Sequence, residues 1–226
     1  MSKGKPELSK VLSISEPESL DQCKWIGLQK IKYQDPNGKQ REWDMAVRKT
    51  RTESSTSNGK ASFKFDSDFV DGVAILAFLK KPNEPTKILL EKQFRPPLNG
   101  VCIEFPAGLI DPKESIETSA LRELKEETGY IGKIIDKSVI IYNDPGFTNT
   151  NLSLVTVEVD LTLPENVNPK CELEDNEFID LFTVELDNFH DTIVELNKSR
   201  GYKLDSRVYN IAQGIKLAQQ FKKLGL

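Results

Sequence analysis

The chain has 226 residues and a mass of 25.5 kDa, of which 38% are hydrophobic and 29% charged. That is enough apolar surface for a core and enough charge for a solvated exterior. With 31 basic against 35 acidic residues, it lacks the basic excess of a protein that coats DNA.

The longest apolar run, Val73 to Leu79, is too short to cross a bilayer. No apolar stretch follows Met1-Ser2-Lys3-Gly4-Lys5, so no secretory signal is visible. The expected location is the cytoplasm, with the nucleus also open, and neither membrane nor nucleic acid is expected as a partner. Cys23, Cys102 and Cys171 are scattered and odd in number, which fits reduced thiols rather than a disulfide framework or a zinc site. The single histidine, His190, lies at a helix start and is expected on the surface or in a cap.

In chain order, residues 1–20 are polar and aperiodic, a flexible tail. Residues 21–65 form an N-terminal region: strands at Trp25–Tyr33 and Glu42–Lys49 flank the turn signal Asp35-Pro36-Asn37-Gly38, and a polar loop follows over 51–69. Residues 66–226 hold the rest. Strands are expected at Gly72–Leu79, Lys87–Gln93 and Val101–Phe105, then a helix over Ser115–Thr128. Its stripe is Ile116, Ala120 and Leu124, with Leu121 beside it. Ser115 or Asp111 can open this helix, and Gly129 can close it in a left-handed cap. Strands resume at Lys133–Tyr142, Ser153–Val159 and Glu177–Val184. A final helix over Asp205–Lys222 turns Val208, Ile211, Ile215, Leu217 and Ala218 inward. Strands on both sides of a central helix predict an α+β sandwich around a mixed sheet.

The central helix has a second face. Glu123, Glu126 and Glu127 stand at i, i+3 and i+4 and project to one side, with Glu114 just ahead of the helix. Like charges at that spacing repel unless something cationic lies between them. Clustered carboxylates on rigid backbone suit Mg²⁺ or Mn²⁺, and Arg122 can pair with Glu126.

Gly108, Glu114, Arg122, Glu123, Leu124, Glu126, Glu127 and Gly129 match, in spacing and identity, the Nudix box. Seven of these eight are fixed identities, Leu124 filling a position that need only be aliphatic, and seven arise by chance in on the order of one chain in a million, so coincidence is set aside. The one departure is Tyr130, where the family has an aliphatic residue. The sequence resembles the Nudix hydrolases. That resemblance implies the Nudix α/β/α sandwich and cleavage of a nucleoside diphosphate linked to another group. It also implies metal ligation by Glu123, Glu127 and the Ala107 carbonyl, with Glu126 in or near the shell. Arg122 and Glu114 become orienting residues, and Gly108 and Gly129 structural ones.

The flanks are similar to the ADP-ribose diphosphatase branch of eukaryotes. They comprise Gln93-Phe94-Arg95-Pro96-Pro97, the run Cys102 to Ile110, and Pro145, which lies 16 residues beyond Gly129. This implies hydrolysis of ADP-ribose to AMP and ribose 5-phosphate, with activity on related ADP-sugars. By resemblance, Trp25 and Trp43 sandwich adenine, one from each subunit of a homodimer. Asp44 reads the adenine edge, Arg48 and Arg95 contact phosphate or ribose, and Glu104 lies near the terminal ribose and metal. The general base comes from Glu172, Glu174, Asp175 or Glu177, with Glu177 favoured by alignment. Two alternatives stay open: a Nudix hydrolase of another nucleotide (oxidised nucleotide, NADH or dinucleoside polyphosphate), and a non-catalytic ADP-ribose sensor.

Overall fold

A computed structural model of the chain describes residues 5–12, 23–49 and 69–225. The loop expected over 51–69 lies almost wholly outside them, as does much of the expected tail. Within that tail, Pro6–Leu8 forms one 3₁₀ turn. Its Glu7 accepts a hydrogen bond from the Tyr202 hydroxyl (2.6 Å), so at least this part is docked rather than loose.

Period-two alternation sorts the strand side chains onto two faces. Strand β3 (Gly72–Lys80) sends Val73, Ile75, Ala77 and Leu79 to one side and Leu76 and Phe78 to the other. The first side packs on Ala120 and Leu124 of helix α1 (Ile116–Thr128). The second packs on Phe189 and Ile193 of α2 (Phe189–Arg200), and on Val208 and Ala212 of α3 (Ser206–Leu224). The result is an α/β/α layering with one core on each side of the sheet. Each fully buried large aliphatic or aromatic side chain there contributes about 1.5–3 kcal/mol.

The large sheet is mixed. Its order is β11 (Lys203–Leu204), β5 (Gly100–Glu104), β4 (Lys87–Arg95), β3, β9 (Asn151–Asp160) and β7 (Lys133–Lys137). Pairs β3–β9 and β5–β11 are parallel; the other pairs on this path are antiparallel. Off this path, β10 (Ile179–Glu185) pairs with β4, β6 (Ala107–Leu109) with β3, and β8 (Ile141–Tyr142) with β9.

Strands β1 (Ile26–Gln34) and β2 (Gln40–Arg48) form a separate hairpin. Its turn is longer than the Asn-Gly pair implies, because Asp35 organises it. The Asp35 carboxylate accepts from the backbone N–H of Asn37 (3.0 Å) and Lys39 (2.9 Å), while Gly38 takes a left-handed φ of 80°. The hairpin meets the main body at Ala46. Its N–H donates to the Phe147 carbonyl (3.0 Å), and its own carbonyl accepts from the Thr148 hydroxyl (2.9 Å).

Several expectations need correction. The strand expected over Lys133–Tyr142 is two strands: the ladder shifts register between Ile134 and Asp136, and β7 ends at Lys137. On α3, Val208, Ile211 and Ile215 face the core as expected and Ala212 joins them, but Leu217 and Ala218 face outward; helical spacing alone left two neighbouring faces in competition. His190 caps nothing. Its ring lies 5.8 Å from that of Tyr209, between α2 and α3, with Lys216 and Asp191 as polar partners. The three cysteines are free, and among the described residues no helix is long and apolar enough to cross a membrane.

Phe189 is fully buried, its ring 6.5 Å from that of Phe105, whereas Leu217 is 41% exposed. Replacing Phe189 with Ala is therefore expected to cost about 3–5 kcal/mol in urea unfolding. The Leu217→Ala substitution should stay within about 0.5 kcal/mol. Equal losses would contradict this assignment of the α3 faces.

Candidate active site

Helix α1 is held at both ends by its own sequence. The Ser115 hydroxyl accepts from the Thr118 N–H (3.1 Å), and Gly129, at φ 73°, donates its N–H to the Lys125 carbonyl (2.8 Å). With Ala120 and Leu124 turned into the core, Glu123 and Glu127 sit one helical step to the side. They lie against β6 rather than in free solvent. Strand β6 is pinned there by its ladder to β3, with Ala107 opposite Ala74 and Gly108 opposite Val73. The Ala107 N–H donates to Glu127 Oε2 (2.9 Å). A Cβ at Gly108 would lie 2.0 Å from the Glu123 carboxyl carbon, so any side chain there would displace that carboxylate. Backbone and carboxylates are thus in close approach, as an oxygen-lined cation site requires.

Arg122 is the hub. Its Nε and Nη2 grip the two oxygens of Glu114 (both 3.0 Å), and Nη1 reaches Glu123 (2.8 Å) and Glu126 (2.9 Å). A further bond from Nη2 ends on the Leu109 carbonyl (3.1 Å). The expected Arg122–Glu126 pair is present, but as one arm of a four-residue network. These hydrogen bonds hold the Glu114 carboxyl down at about 2 and push the Arg122 guanidinium further up. Burial, then the neighbouring Glu123 charge, pushes Glu127 up to about 8, against the opposing Ala107 N–H. Burial also raises Glu123, with Arg122 opposing.

Across the sheet, Arg95 at the end of β4 forks onto the buried Glu104 of β5, with Nε to Oε1 at 2.8 Å. This bidentate contact raises the Arg95 guanidinium. The segment after β9 folds back onto α1: the Glu172 N–H donates to the Glu126 carbonyl (2.7 Å), while its side chain turns to Lys125 (3.6 Å). Glu177 lies just before β10, not in it. One of its oxygens accepts from the Glu174 N–H (2.8 Å), and its charge is felt at Glu91, Glu123 and Glu127.

The hairpin residues are not brought into this cluster within one chain. Trp43 is half exposed and donates Nε1–H to the Gly146 carbonyl (3.1 Å), beside Pro145. Trp25, 64% exposed, pairs through its carbonyl with the Lys49 N–H, whereas Trp43 stands opposite Ile31. Six residues of strand separate positions 25 and 31, about 20 Å at the strand rise, so the two indoles of one chain do not face each other across a ring. Asp44 is engaged with Lys30 (3.5 Å), and Arg48 is exposed at the end of β2.

One buried carboxylate beside the cluster lies outside the motif. Glu91, in the run Ile88-Leu89-Leu90-Glu91, stands opposite Glu104 in the β4–β5 ladder and is 1% exposed. Burial, then the charges of Glu127 and Glu104, push its carboxyl well above the usual carboxylate range. An acid at a core-facing strand position, two residues after buried Leu89, was the available signal. Among the described residues no three acidic, histidine or cysteine side chains already converge at ligand distance, since Arg122 draws Glu123 and Glu126 to itself. The donor set of carboxylates and backbone carbonyl, carrying raised carboxyls, still fits a hard divalent cation.

Comparison with known proteins gives the same picture. A NUDIX domain model matches residues 70–202. The chain is 60% identical to the ADP-ribose pyrophosphatase of Saccharomyces cerevisiae, over 97% of its own length and 89% of that protein's. It is 33% identical to the ADP-sugar pyrophosphatase of Mus musculus, over 91% and 88% of the two lengths. A solved structure of an ADP compounds hydrolase superposes with a TM-score of 0.54 at 16% identity, covering 96% of this chain and 98% of that one, which speaks for the fold. The match spans more than half the chain and includes the helix that carries the glutamates, so the chain belongs to the Nudix family.

Proposed function

We propose that this protein is a divalent-metal-dependent ADP-ribose diphosphatase, yielding AMP and ribose 5-phosphate and acting also on related ADP-sugars. The observation that carries this reading is the 60% identity, over nearly the whole chain, to a relative named for that activity. The intact set of Glu114, Arg122, Glu123, Glu126 and Glu127 favours an enzyme over a sensor that binds without cutting.

Nudix hydrolases use divalent metal ions. Here Mg²⁺ is the proposed ion, with Mn²⁺ as substitute, held by Glu123, Glu127, Glu126 and the Ala107 carbonyl. Bound there, the cation supplies charge neutralisation at the pyrophosphate and acidifies water. The remaining work falls to the chain. Arg122 keeps three carboxylates in fixed orientation. Glu177, whose charge reaches the cluster while Glu172 is turned to Lys125, serves as the base that takes a proton from the attacking water. Arg95, placed by Glu104, presents guanidinium N–H groups to phosphate or ribose oxygens. Arg48 supplies a second such contact, and Asp44 reads the adenine edge.

Adenine is stacked between Trp25 and Trp43 of two different chains of a homodimer. The separation of the indoles along one hairpin supports this, as does the exposure of Trp25, Ile26, Leu28, Tyr33 and Trp43, large apolar side chains left in solvent on both faces of a two-stranded sheet. The cytoplasm is the proposed compartment.

Three outcomes test this reading. Incubated with Mg²⁺ and ADP-ribose, the protein should release AMP and ribose 5-phosphate, and the Glu127→Gln variant should lose at least about 100-fold in kcat. Faster turnover of NADH or an oxidised nucleotide would overturn the substrate, and tight binding without turnover would favour a sensor.

The second outcome concerns pH. A carboxyl raised in the fold, as Glu127 is from its ordinary 4.5 to about 8, adds stability below pH 4.5 that is lost as pH rises towards 8. Metal-free protein should therefore melt lower at pH 8 than at pH 6, and Mg²⁺ should raise the melting temperature more at pH 8. A shift independent of pH would refute the placement.

Third, removing residues 1–45 should leave a monomer with at least about tenfold weaker substrate affinity. A fully active truncated monomer would sink the shared-site dimer.

A further inference from the structure

Strand β4 opens on apolar residues. Ile88, Leu89 and Leu90 are all buried, Leu89 in the core beneath α1 and its two neighbours in the core on the other side. Alternation puts Glu91 on the same face as Leu89, one step nearer the end of the strand where Arg95 stands. The opposite position in the ladder is Glu104, itself buried. Glu91 is only 1% exposed, and its Oε2 has no hydrogen-bond partner. The carboxylates whose charges reach it are those of Glu127, Glu104 and Glu177, so it is turned into the same space as the box helix.

Nearby cations do not satisfy it. Arg95 is committed bidentately to Glu104, and Arg122 to Glu114, Glu123 and Glu126. An unpartnered buried carboxylate oxygen costs about 1–3 kcal/mol or more, and a strand of this composition has apolar alternatives of the same size. Its retention there makes physical sense when a cation completes it.

We infer that Glu91 is an additional carboxylate of the divalent-cation site, contributed by the sheet rather than by the box helix. The inference rests on the cation site proposed above and extends it to a residue outside the motif. The site then holds anionic oxygens on two walls, α1 and β4, and binds its metal more tightly than the box residues alone would.

The test is titration of the metal-free protein with Mn²⁺ alone, with free Mn²⁺ followed by electron paramagnetic resonance. Wild type, Glu91→Gln, Glu91→Leu and Glu127→Gln are compared, each first checked by circular dichroism for a cooperative melt. Glu91→Gln keeps the shape, and Glu91→Leu keeps the apolar character of the strand, so one remains informative if the other fails to fold. The expected result is a loss of one bound Mn²⁺ per chain, or a 10- to 100-fold weaker affinity, in the Glu91 variants. A smaller Mn²⁺-induced rise in melting temperature should accompany it. Wild-type affinity and stoichiometry in both Glu91 variants, with binding impaired in Glu127→Gln, would overturn this inference and leave the cation site standing. Absence of Mn²⁺ binding by the wild type would overturn both.

Discussion

Repulsion among buried carboxylates is the constraint around which this molecule is arranged. Two unit charges about 5 Å apart interact by about 3 kcal/mol at an effective dielectric of about 20. Domains of this kind are stable by only about 5–15 kcal/mol in total, so a few such contacts rival the whole margin. Helix α1 nevertheless gathers Glu123, Glu126 and Glu127 on one side, and the sheet adds Glu91 and Glu104. The chain offsets part of this with two arginines. Arg122 spends its donors on three carboxylates and a carbonyl, and Arg95 closes a fork on Glu104. Lysine at either place would supply charge without the planar fork, and could not hold several acceptors in fixed directions at once.

The two arginines divide the carboxylates unequally, and the division separates holding from reacting. Glu114 is satisfied by Arg122, the Ser119 hydroxyl and the Asp111 N–H, and stays ionised down to about 2. Glu127 receives one backbone N–H and is pushed up to about 8. Glu114 therefore behaves as an anchor. Glu127 is left with unspent basicity that an incoming cation would use. The same box supplies both because one lies at the solvated start of the helix and the other against the buried sheet.

Much of this was legible in the sequence. The helix over Ser115–Thr128, its Ser115 and Gly129 ends and its glutamate face follow from spacing, since short-range hydrogen bonds and helical period fix them. Strands β3, β4, β5 and β9 were legible from their apolar, β-branched runs. What stayed hidden depends on contacts between distant segments. Strand β6 is three residues long and exists because β3 pairs with it, yet it brings Ala107 and Gly108 to the glutamates. The break between β7 and β8 is a register shift against β9, invisible in the local pattern. Glu91 was overlooked because it is one acid in an apolar run; its meaning appears only when β5 sets Glu104 opposite it.

The hairpin carries the last step of the argument. Its contact with the main body is narrow, with Met45, Ala46 and Val47 buried and Ala46 bonded to Phe147 and Thr148. An isolated two-stranded hairpin is marginal in water, and this one shows indoles and aliphatic side chains to solvent. Its conformation must therefore be secured by something beyond its own ladder. The bond from Trp43, midway along β2, to Gly146 ties the hairpin to the loop that carries Pro145. Trp25, opposite Lys49 at the open end of the hairpin, leaves its indole 64% exposed. In the homodimer proposed above, a second copy of the chain would cover that indole. It would also set Trp25, about 20 Å along the hairpin from its own chain's Trp43, beside the partner's Trp43. Substrate recognition and assembly would then draw on one set of residues.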